Sequence, residues 1–161
     1  MQDTTPLRDA YRALLDAAAT VAESGPARPA PAPGEWNADQ ILAHVTLIGA
    51  TTITAVCSAA SGAVAPYDNR VAQDLWTLER VIALAGGGAG LRHRIRAQGE
   101  ALCALAGPVL SEAELDTQVP TLLLSKATVL VDCPLPLRDL LTGLAESELP
   151  GHTRQLLALM P

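Results

Sequence analysis

The chain has 161 residues and a formal net charge of −6, and 49% of it is hydrophobic although only 2% is aromatic. This length suits one domain, taken here as residues 1–161, with a core built mainly from Leu, Ala, Val and Ile. The acidic balance argues against a nucleic-acid partner, and the short basic run 91–96 is typical of a solvated helix face. The three cysteines are far apart and contain no CxxC pair, which excludes the usual patterns of a zinc ribbon or a disulfide framework.

No run of about 18 uninterrupted apolar residues is present, so the sequence predicts no membrane partner. A charged start followed by an apolar segment, the pattern of a secretory leader, is also missing. Together with the unpaired cysteines, this composition predicts a soluble protein in a reducing, cytoplasmic compartment.

The first half of the chain predicts two helices joined by a spacer. Apolar residues recur at helical spacing over residues 4–24, and Pro6 lies in the first turn, where its missing N–H is tolerated. Residues 25–34 are rich in Gly and Pro, which predicts an extended segment.

The stretch GEWNADQILAHVTLIG predicts the start of a second helix that runs from 38 to about 60. Asn37 and Gln40 have the spacing of a capping box, and Trp36 and Ile41 have that of a hydrophobic staple. His44 lies on the same face of this helix as Ile41, so its side chain is expected to point into the protein.

The second half predicts further helices over 69–85 and 90–107, a β-hairpin over 119–132, and a helical segment over 135–160. The predicted fold class is therefore all-α. We expect an antiparallel four-helix bundle of the up-down-down-up type, with a small extended or β-hairpin insertion before the last helix.

Three residues suggest a metal site. Glu148 and His152 are neighbours on one face if the backbone between them is helical, and His44 faces the interior from the second helix. Two imidazoles and one carboxylate form a ligand set that catalytic metal sites use. The alternative is that both histidines are hydrogen-bonded core residues and Glu148 is an exposed charge near a helix start.

Pro150 and Gly151 lie between two of these residues and disturb the helix that the site requires. Two local structures preserve the site. The helix continues with a kink, or it ends at Gly143 and a new helix begins with Ser147 as its N-cap.

Three segments resemble the DinB/YfiT-like superfamily of helical metalloproteins. EWNADQILAHVTLIG is similar to its second-helix signature, and LRDLLTGLAESELPGHTRQL is similar to its closing element. The resemblance covers nearly the whole chain, including LRHRIRAQGEALCALAGPVLSEAELDTQV as the third-helix region. It implies a divalent metal, often zinc or nickel, held by one histidine of the second helix and an HxxxH pair. Carried over, the first ligand is His44, the last is His152, and the middle one falls on Glu148, where this sequence departs from the pattern.

Relatives implied by the resemblance include mycothiol-dependent maleylpyruvate isomerase and bacillithiol S-transferases. The expected function is therefore a divalent-metal enzyme with a small-molecule substrate, acting as an S-transferase or isomerase with a low-molecular-weight, mycothiol-like thiol. The alternative is a non-enzymatic binding or stress protein with a metal-free site. The resemblance also makes a homodimer a candidate assembly, with the Ala-rich first helix as its surface.

Overall fold

The computed structural model describes residues 2–25 and 31–160. Residues 26–30 of the predicted spacer 25–34 lie outside the described residues. Helices of the described chain are α1 Thr5–Glu23, α2 Ala38–Ala60, α3 Leu75–Ala85, α4 Gly88–Ala104, α5 Glu112–Leu115, α6 Leu137–Gly143 and α7 Leu149–Leu157. Its strands are β1 Tyr67–Asp68, β2 Gln118–Ser125 and β3 Thr128–Pro136.

The all-α prediction was wrong, because the described residues are 67% helical and 12% strand and include a three-stranded mixed sheet. The predicted hairpin forms as β2 and β3, paired antiparallel around Lys126 and Ala127. The unexpected strand is β1, which pairs in parallel with β2. A two-residue strand has no detectable alternation of its own, and its partner lies some fifty residues away in the sequence, so periodicity does not show it.

Asn69 extends this parallel pairing beyond β1. Its amide nitrogen donates to the Leu124 carbonyl at 2.9 Å, and its side-chain oxygen accepts from the Leu124 N–H at 2.9 Å. The side chain therefore satisfies both backbone groups of Leu124, as a strand residue would. Gln73 also donates to the Leu124 carbonyl, so the segment after β1 is attached to the hairpin.

The predicted helix 69–85 begins later than expected. Residues Val71–Gln73 form a 3₁₀ turn, and α3 starts after Asp74, whose carboxylate accepts from the Thr77 N–H at 2.9 Å. Asp74 is thus the N-cap, and the sequence pattern placed the helix start too early because Val71 matches the apolar spacing.

Helix α2 is central to the core, and its predicted capping box is confirmed. The Asn37 side chain accepts from the Gln40 N–H at 2.9 Å, and the Gln40 side chain accepts from the Asn37 N–H at 3.0 Å. By length and apolar composition α2 could cross a membrane, but 61% of its most apolar stretch is buried inside the protein. It packs against α4, α3 and α7 and against the 3₁₀ turn.

The chain from α6 to α7 stays helical through Pro150. A π-helical turn, Leu144–Glu148, joins the two helices, and Pro150 follows in the first turn of α7. Of the two predicted structures, the continuous helix is therefore the one that forms, and Ser147 is not an N-cap. The wider turn has an irregular hydrogen-bond pattern, which accommodates a residue that lacks an N–H.

Two helical glycines provide a matched test of packing. A Cβ added at Gly99 would lie 2.8 Å from Cγ of Tyr11, whereas one added at Gly143 meets nothing within 4 Å. We expect Gly99→Ala to lower the free energy of unfolding by about 1–3 kcal/mol through overpacking. Gly143→Ala should raise it by about 0.5–1 kcal/mol, since alanine favours helix. Denaturant unfolding measures both, and equal shifts of the same sign would contradict the described packing.

Candidate functional site

His44 is fixed from two sides. Its Nδ1 lies 2.6 Å from the carbonyl oxygen of Ala72 in the 3₁₀ turn. The Trp36 ring packs against it with centroids 4.9 Å apart. A carbonyl oxygen can only accept, so Nδ1 carries the proton and Nε2 is the free position of the neutral ring.

Glu148 stands between the two predicted histidines. Its Oε1 lies 3.0 Å from Nε2 of His44 and 3.1 Å from Nε2 of His152. The second contact spans four residues, so the helical geometry that the sequence required is present despite Pro150. The structure therefore brings all three predicted residues together.

His152 has its own orienting partner in Gln155. Nδ1 of His152 lies 2.9 Å from Oε1 of Gln155, one turn further along α7. In this arrangement both imidazoles direct Nδ1 to an oxygen and Nε2 to the same carboxylate. An acceptor on the far nitrogen is the usual outer partner of a metal-binding histidine, because it fixes the ring and its tautomer.

The cluster requires positive charge at its centre. If both rings were neutral with Nδ1 protonated, two nitrogen lone pairs would face a carboxylate oxygen at about hydrogen-bond distance, which is repulsive. Either protons on Nε2 or a bound cation removes this repulsion. The three candidate ligand atoms lie within 4.8 Å of one another.

The electrostatics of Glu148 reflect the same arrangement. Burial by itself raises the pKa of this carboxyl, but hydrogen bonds and positive charge from His152 and His44 outweigh that effect. The pKa of Glu148 therefore lies well below its usual range. The carboxylate is the ionised member of the cluster.

A large cavity opens beside the cluster. It has a volume of about 1130 Å³, and all three cluster residues line it. Side-chain exposure is 4% for His44, 15% for His152 and 39% for Glu148. A molecule in the cavity would therefore reach the cluster from the Glu148 side, while His44 is shielded. The hairpin β2–β3 forms one wall.

Sequence reasoning missed several residues around the cluster. Trp36 was predicted as a hydrophobic staple, and it also contacts His44 and lines the cavity. Ala72 contributes only its carbonyl, which no side-chain pattern can indicate. Gln155 follows His152 by three residues and contacts it, whereas Arg154 between them is exposed and does not line the cavity.

Tyr67 is a buried residue that lines the same cavity, and the pKa of its hydroxyl can be measured. Its hydroxyl lies 3.1 Å from Oγ1 of Thr52. Burial raises the pKa of Tyr67 to about 12, the Thr52 hydrogen bond opposes the rise, and the Glu148 carboxylate adds to it.

We expect the Tyr11→Phe variant, which retains Tyr67 as its one tyrosine, to form tyrosinate near pH 12 when folded. In denaturant the same residue should titrate near pH 10. Because the folded pKa is the higher one, the stability linked to this group is complete below about pH 10 and is lost as the pH rises toward 12. Tyrosinate absorbance measures both midpoints, and a folded midpoint near 10 would show that the hydroxyl is solvated.

Comparison of the chain with protein-family models, curated proteins and solved structures finds no match in any of the three. The DinB-like family assignment stays a prediction from the sequence, and the site is interpreted from its own geometry.

Proposed function

We propose that His44, Glu148 and His152 bind a divalent cation, zinc or nickel, and that the protein uses it in the chemistry of a small thiol. The observation that carries this proposal is the convergence of two Nε2 atoms on one carboxylate oxygen, with Nδ1 of each ring held by another oxygen.

The donor set fits such a cation. Zinc binds imidazole nitrogen and carboxylate oxygen at about 2.0–2.2 Å, and three protein ligands with an open position are typical of catalytic sites. Ligand atoms within 4.8 Å of one another need only small side-chain movements to reach this geometry. The exposed side of Glu148 would leave the open position toward the cavity.

When bound, a cation of this kind lowers the pKa of a coordinated thiol, so that the thiolate is available near neutral pH. The residues of the chain then orient the partners. His44 and His152 are held by Ala72 and Gln155. A cavity of about 1130 Å³ has room for a thiol and a second substrate together.

Two related reactions suit this arrangement. In S-transfer, sulfur forms a bond to an electrophilic carbon, the leaving group departs with the bonding electrons, and the thiol proton passes to solvent. In isomerisation, the thiol adds across a double bond, the adduct rotates, and elimination releases the same thiol and the isomer. Both reactions are balanced without an oxidant or a reductant.

A binding protein without a metal is the second candidate. The contacts of 3.0 and 3.1 Å are already at hydrogen-bond length, so protonated histidines can satisfy Glu148 without a cation. In that case the cluster is a structural network under the cavity.

Metal content distinguishes the two candidates. We expect about one zinc or nickel ion per chain in untagged protein after incubation with either metal and removal of excess, measured by mass spectrometry. His44→Ala, Glu148→Gln and His152→Ala should each lower the affinity at least about tenfold, since each removes a ligand. His93→Ala is the matched control, because His93 is exposed on α4.

Cys57→Ser with Cys133→Ser is a second control, because both thiols are exposed and could bind zinc themselves. Retention of metal in the cysteine variant supports the proposed site. Loss of metal in that variant, or equal metal in wild type and His44→Ala, contradicts it. The reaction itself is then tested with mycothiol or bacillithiol as the thiol and 1-chloro-2,4-dinitrobenzene as the electrophile. Formation of the thioether is the quantity measured.

A further inference from the structure

We propose that the second substrate, which occupies the cavity beside the His44–Glu148–His152 cluster, is an uncharged, largely apolar molecule. The preference over a cation rests on the proposed function, because it uses the bound metal, whereas the apolar character and the preference over an anion do not. The argument comes from the charge and the composition of the cavity wall.

The wall opposite the cluster is apolar. The hairpin presents five aliphatic side chains to the cavity, namely Leu123, Leu124, Leu130, Val131 and Leu135. A register irregularity in β2 lies between Leu123 and Leu124, and both residues line the cavity. Such a bulge departs from the strict alternation of a strand, so more apolar surface faces the ligand than a regular strand offers.

The charged groups of the cavity disfavour an anion. Among the described residues that line it, Lys126 is the one Lys or Arg, and its Nζ is already 3.0 Å from Oε1 of Glu35. Asp139 adds an exposed carboxylate for which the described part of the chain provides no ion pair, whereas Glu148 is already paired with His44 and His152. In the metal-free protein a ligand carboxylate or phosphate would therefore meet the Asp139 carboxylate and find Lys126 already paired.

A positively charged electrophile is disfavoured for a different reason. A divalent cation bound by His44, Glu148 and His152 would make this end of the cavity positively charged until a thiolate occupies the open position. A cationic molecule would be repelled there. That position is then taken by the thiol. The remaining space, between the aliphatic wall and Trp36, suits a molecule without charge.

The test compares n-octanol with octanoate, which share an alkyl chain and differ in charge. Binding is measured by calorimetry in the presence of a chelator, so that coordination to a metal cannot contribute. The Trp76→Phe variant retains Trp36 as its one tryptophan, and a change in its emission locates the ligand in the cavity. We expect octanol to bind about tenfold or more tightly than octanoate at neutral pH.

Variants of Asp139 test whether its carboxylate causes the preference for octanol over octanoate. Asp139→Asn should reduce the preference for octanol several-fold, and Asp139→Lys should abolish or reverse it. Asp132→Lys is the control: Asp132 is exposed like Asp139, but it lies in β3 and does not line the cavity, so this change should leave the preference unchanged.

Octanoate that binds as tightly as octanol, binding that leaves Trp36 emission unchanged, or no binding of either ligand would overturn the proposal. Because these measurements are made without metal, their outcome is independent of the metal-content experiment. Selective octanol binding in a protein that takes up no metal would leave the ligand class intact and remove the enzymatic function.

Discussion

The site depends first on the hydrogen bond between Nδ1 of His44 and the carbonyl of Ala72. This bond joins the buried face of α2, in its second turn, to the 3₁₀ turn that follows β1. It directs Nε2 at Glu148, because the carbonyl can only accept a proton. The histidine therefore presents a lone pair, or a charged N–H, to the one ionised carboxylate of the cluster. The remaining geometry is arranged around that fixed ring, since Trp36 packs against it at a tilt and the His152 ring lies with its centroid 4.7 Å away.

The second constraint is the π-helical turn before α7. A π turn adds one residue to a helical repeat and changes the direction in which the following side chains project. Glu148 ends this turn and His152 follows one α-helical turn later, so the irregularity sets the position of both side chains relative to His44. Pro150, which looked like an obstacle to the site, is accommodated by the same turn.

Local signals in the sequence were enough for most helices and for the cluster. The capping box at Asn37 and the inward face of α2 placed His44, and the spacing of four residues placed Glu148 beside His152. Those local signals do not indicate which distant parts of the backbone pair with each other. Neither the parallel contact of β1 with β2 nor the carbonyl of Ala72 has a side-chain pattern, and the all-α prediction failed for that reason.

The attachment of segment 67–73 to the hairpin has a thermodynamic consequence. Asn69 and Gln73 donate to the Leu124 carbonyl, and Ala72, which lies between them in the sequence, accepts from His44. The strand that forms the cavity wall and the ring in its floor therefore share one short stretch of backbone. A molecule that shifts the strand changes the environment of the ring, and an occupant of the floor changes the wall. By linkage, any effect of one occupant on the affinity of the other must be matched by an equal effect of the second occupant on the affinity of the first.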